Sequence, residues 1–82
     1  MSPTAELAKL LYNNNENIQW AVQQAQKLEA QLVAGEISKE EHAELMEDIK
    51  RDDKITSLSD ELAAKIQLEE ALNALISLAS AI

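Results

Sequence analysis

The chain has 82 residues, with 15 acidic side chains against seven basic ones, one histidine, no cysteine and a formal net charge of −8. That length fits one domain with a small core, and the missing cysteines exclude disulfides and thiolate metal sites. The charge argues against nucleic acid and against an anionic membrane surface, since both are bound through Lys and Arg.

One Gly, one Pro and no Phe, with Ala, Leu, Glu, Gln and Lys abundant, predict an all-α chain with few turns. The expected helices span about 3–34, 38–52 and 57–81 of a single domain. A core this small stabilises by roughly 3–5 kcal/mol. Oligomerisation is the expected aid, and a monomeric three-helix bundle is the alternative. The start, "MSPTAELAKLL", has neither the basic segment nor the apolar run of a secretory signal. No uninterrupted apolar run approaches the roughly 20 residues that cross a bilayer. The expected location is the cytoplasm.

The first helix opens on Ser2 as cap and Pro3 in the first turn. Its apolar positions run Leu7, Leu11, Asn14, Ile18, Ala21, Ala25, Leu28, Leu32 in alternating steps of four and three, a heptad seam. Unbroken over 3–34, it would reach about 48 Å. "YNNNEN", residues 12–17, opposes continuity, because Asn side chains compete for backbone hydrogen bonds. The kept register favours a continuous helix, with a break as the alternative. Asn14 then either fixes the register of a seam or lies partly exposed. Trp20 falls across the helix from the stripe, among Glu16, Gln24, Lys27 and Gln31. It either anchors another chain or is covered by a later helix. Leu7, Leu11, Ile18, Trp20, Leu28 and Leu32 are the candidate interface residues of this segment.

Gly35 should end that helix in a left-handed cap. Ser38 and Glu41 form a capping box for the next, with acids in its first turn and Lys50 and Arg51 in its last. Leu45, Met46 and Ile49 supply its inner face, and the short connection makes the two helices antiparallel neighbours. "LEAQLVAGEISKEEHAELMEDI", residues 28–49, resembles the short helical hairpins of the SHOCT type: a leucine-bearing helix, a Gly-Ile-Ser/Thr turn, then Glu-Glu and an aromatic. His42 stands where that family has Phe or Tyr. The resemblance covers about a quarter of the chain and implies a self-associating hairpin. In size and acidity the chain also looks like small accessory proteins of bacteriophages, which implies no site.

His42 in an acidic first turn reads as solvated or packed at a helix edge. No nucleophile or second base accompanies it, so no catalytic residue is assigned. "EDIKRDDK" has the acids of a calcium loop without its ligand spacing or central glycine. It reads as a solvated face with pairs such as Glu47 with Arg51. The sequence calls for no metal and no cofactor.

Beyond Ile49 the stripe loses its spacing, which predicts a break between residues 52 and 58. Ser57 with Asp60, or Ser59 alone, can cap the last helix. That helix carries Ile55, Leu58, Leu62 and Ile66 on one face. Leu68, Leu72, Leu75, Ile76, Leu78 and Ile82 then spread over more than half the circumference. Two helices of this size should not cover such a surface, so a second subunit or another protein is expected to do so. Leu68, Leu72, Leu75, Ile76 and Ile82 join the candidate interface. The resulting expectation is a non-enzymatic protein–protein interaction protein: an adaptor, assembly chaperone or inhibitor working as a helical homo-oligomer, with another protein as further partner. The alternatives are an acidic inhibitor mimicking nucleic-acid charge and an oligomer that sequesters a small ligand.

Overall fold

The computed structural model describes residues 3–58 and 61–81, and among them the fold is all-α with no strand. Five helices follow in order: α1 (Pro3–Lys9), α2 (Glu16–Val33), α3 (Lys39–Arg51), α4 (Asp53–Thr56) and α5 (Leu62–Ser80). A 3-10 turn, Leu10–Tyr12, follows α1. The extents are 36 × 26 × 17 Å and the radius of gyration is 12.0 Å, close to the ~12 Å of a compact chain this long.

Those dimensions leave no room for an unbroken helix over 3–34, and the first helix is indeed broken. The asparagines are the cause. Asn13 Oδ1 accepts from the Asn15 amide at 2.8 Å. Asn15 Oδ1 accepts from the Asn17 amide at 2.9 Å and the Ile18 amide at 3.2 Å. Asn15 is therefore the N-cap of α2, extended at φ −78°, ψ 120°. Gln19 Nε2 donates to the Asn13 carbonyl at 2.7 Å and fixes the corner. Side-chain acceptors thus replace the helical backbone bonds across Asn13–Asn15, as short polar side chains do at helix starts. Asn14 is exposed and pins no seam.

The break changes what covers the C-terminal helix. Past the corner, α1 folds back and packs on α5, while α2 and α3 also pack on it. Leu68, Ala71, Leu72, Leu75 and Ala79 are buried within the chain, so α5 is covered on several sides without a second subunit. The sequence reading allotted only two helices to this task; the fold supplies three. The buried stripe of α2 is Ile18, Ala21, Val22, Ala25 and Leu28. It keeps the expected seam and adds Val22.

Between α2 and α3 the turn follows the sequence closely. Gly35 has φ +76°, the left-handed conformation open to glycine. Its amide donates to the Leu32 carbonyl at 3.1 Å, and the Glu36 amide donates to Gln31 at 2.8 Å, the paired bonds of a Schellman ending. The Ser38–Glu41 capping box is present. The inner face of α3 is His42, Met46 and Ile49, with Leu45 displaced to the exposed edge.

The expected break after α3 occurs at Asp52, whose carboxylate accepts from the Lys54 amide at 2.9 Å and caps α4. Ile55 and Leu58 are buried there. Leu62 and Ile66 are exposed, because α5 begins only at Leu62 and the periodicity of α4 does not run into it. The cap expected of Ser59 or of Asp60 with Ser57 lies outside the described residues, as do the Ser2 cap and Ile82.

Candidate functional site

The expected interface residues separate into two groups. Leu7, Ile18, Leu28, Leu68, Leu72 and Leu75 are buried in the core of the chain, with Leu11, Trp20 and Ile76 packed against it. These side chains serve the internal packing of α1, α2 and α5. Leu32 is half-buried and lines a surface groove.

That groove forms where the C-terminal ends of α2 and α5 meet the N-terminus of α3. It encloses about 350 Å³, with Leu32, Val33, Leu75, Leu78 and Ala79 as its apolar lining and Glu29 and Lys39 as its charged members. Val33 is 87% exposed and Leu78 is 53% exposed. Two large aliphatic side chains therefore stand in water beside an apolar floor. The seam did not identify Val33, which falls beside Leu32 in sequence; its position in the last turn of α2 is what exposes it.

Behind the groove lies a polar pair. His42, expected to be solvated or packed at a helix edge, is fully buried on α3. Its Nε2 is 2.6 Å from the Glu29 carboxylate on α2. The carboxylate accepts, so the imidazole donates from Nε2. His42 Nδ1 is buried without a hydrogen-bond partner. Glu29 keeps 31% of its side chain exposed and faces the groove. The pair joins α2 to α3 across the hairpin. Among the described residues no group of three or more His, Cys, Asp or Glu side chains is placed to hold a metal ion. None of the described helices is long and apolar enough to cross a membrane.

Trp20 has a distinct surrounding. Its indole is half-buried on α2, and the Lys54 ammonium of α4 lies 4.6 Å from its ring centroid. Lys54 also reaches Asp52 at 3.8 Å. A second, smaller cavity of about 200 Å³ opens here, lined by Trp20, Leu28, Leu45, Ile49 and the carboxylates Asp48 and Asp52. Later elements of the chain thus flank the indole without closing over it. The acidic strip around it is interrupted: Lys50 pairs with Glu47 at 2.8 Å and donates to Asn73 on α5.

No family model, curated protein or solved structure matches this chain.

Proposed function

We propose that the protein is a non-enzymatic interaction module that pairs with a second copy of itself through the groove at the C-terminal ends of α2 and α5. The observation that carries this reading is the exposure of Val33 and Leu78 beside the apolar floor of Leu32, Leu75 and Ala79. Water is a poor neighbour for such a surface, and contiguous apolar patches on small proteins mark contact sites. The charges favour a second copy as occupant. Glu29 and Lys39 line the same groove. In a two-fold interface residue i of one copy meets residue j of the other and j meets i, so Glu29 of each copy can face Lys39 of its partner. The SHOCT-like character of residues 28–49 supports the same direction, since such hairpins are associated with self-association. Blocking a basic groove by charge mimicry has less support, because Lys50 and Lys54 pair with acids inside the acidic strip.

The test is molar mass by light scattering. A standard interface needs about 800 Å² per partner, a large share of the 5057 Å² that this chain exposes. Weak pairing should appear at roughly 10–100 µM, a free energy of about −5 to −7 kcal/mol. Wild-type protein should then approach twice the 9.1 kDa monomer mass. Val33→Asp with Leu78→Asp should remain monomeric and folded, since both side chains are exposed. A wild-type monomer throughout that range, or a double variant that keeps the dimer mass, refutes the proposal.

A further inference from the structure

The cavity beside Trp20 joins the edge of the core to a charged rim. Its floor is apolar, from Leu28 and Ile49. One wall is an indole face. Its rim carries two carboxylates, Asp48 and Asp52, spaced four residues apart and so neighbours on one side of α3 and its cap. An aromatic face attracts a cation through its quadrupole, and paired carboxylates attract the same charge. The structure already shows one cation against two of the residues that line it, Trp20 and Asp52. Lys54 lies over the indole and reaches Asp52, yet at 3.8 Å and with 53% of its side chain exposed. An ion pair of that kind is screened and easily exchanged.

We infer that this cavity is a docking site for an arginine side chain on a basic segment of another protein, and that Lys54 is its intramolecular stand-in. The cavity, about 200 Å³, is below the roughly 300 Å³ at which pockets for free small molecules begin, and suits a single side chain. Arginine fits its chemistry better than lysine. The planar guanidinium stacks on an indole and offers several N–H donors in a fork that two carboxylates can share. The net charge of −8 steers a basic partner toward the surface. This site is separate from the groove at the other end of α2, so the two proposals fail independently.

The probe is a blocked peptide of four arginines spaced by glycines, titrated into the full chain. Chemical shifts of the Trp20 indole report occupancy, and calorimetry gives affinity. Weak but saturable binding centred on Trp20 is expected. Asp48→Asn with Asp52→Asn should weaken it about tenfold; Asn at 52 still caps α4, so the fold is kept. Lys54→Gln should strengthen it about threefold by vacating the indole and removing a competing charge. The same peptide with citrulline for arginine should not bind. Four outcomes each overturn the inference: no saturable shift at Trp20, equal affinity in the Asn variant, no gain in Lys54→Gln, or equal binding of the citrulline peptide. Glu36→Gln with Glu40→Gln removes as much charge away from the cavity. If it costs as much affinity as the Asp pair, attraction is diffuse and the site is refuted.

Discussion

Replacing His42 by Phe and by Ala separates packing from polar pairing at the α2–α3 hairpin. The imidazole is fully buried, donates from Nε2 to Glu29 at 2.6 Å, and leaves Nδ1 without a partner. A hydrogen bond to a charged group contributes about 1.5–3 kcal/mol net, and an unsatisfied buried polar atom costs about 1–3 kcal/mol. His42→Phe removes both terms while keeping a ring in the site. Glu29, with 31% of its side chain exposed, recovers water once released, so no carboxylate is stranded. The terms nearly cancel, and the Phe variant should lie within about 1 kcal/mol of wild type. His42→Ala loses the bond and also leaves a cavity, a loss of about 3 kcal/mol by analogy with aromatic truncations. Urea unfolding at pH 7 with unchanged slope should show this order. Thermal midpoints should fall by roughly 12–24 °C for Ala and by no more than about 8 °C for Phe, using the scale for domains of this size. If Phe destabilises as much as Ala, the polar pair rather than ring packing holds the hairpin, and the reasoning is wrong.

Two further changes test the corner and the core. Asn15→Ala removes the acceptor for the Asn17 and Ile18 amides and should cost about 1 kcal/mol; faster hydrogen exchange confined to the first turn of α2 locates the loss, whereas uniform exchange across α2 would refute its origin at the cap. Leu72→Val trims a fully buried position on α5 and should cost about 1 kcal/mol without a change in molar mass, measured by urea unfolding and light scattering together. A drop in mass at preserved stability would place Leu72 in an interface instead.

The local sequence determined the helical class, the Gly35 ending, the Ser38–Glu41 box and a break within residues 52–58. Each rests on backbone chemistry settled within a few residues. Asn15 as an N-cap was also present in the letters. Its two amide partners lie two and three residues on, and the regular seam concealed it, because periodicity runs through a corner as easily as through a helix. What the seam could not convey is direction. Leu72 and Leu75 read as an unpaired apolar surface, and only the packing of α1, α2 and α3 around α5 makes them core. His42 read as solvated or packed at a helix edge, and helical geometry turns it inward beside Met46, toward a carboxylate thirteen residues earlier. Val33 and Leu78 were ordinary members of apolar runs until packing left them outside. Apolar periodicity shows which side chains must leave water, while the path of the chain decides which are covered from within and which remain for a partner.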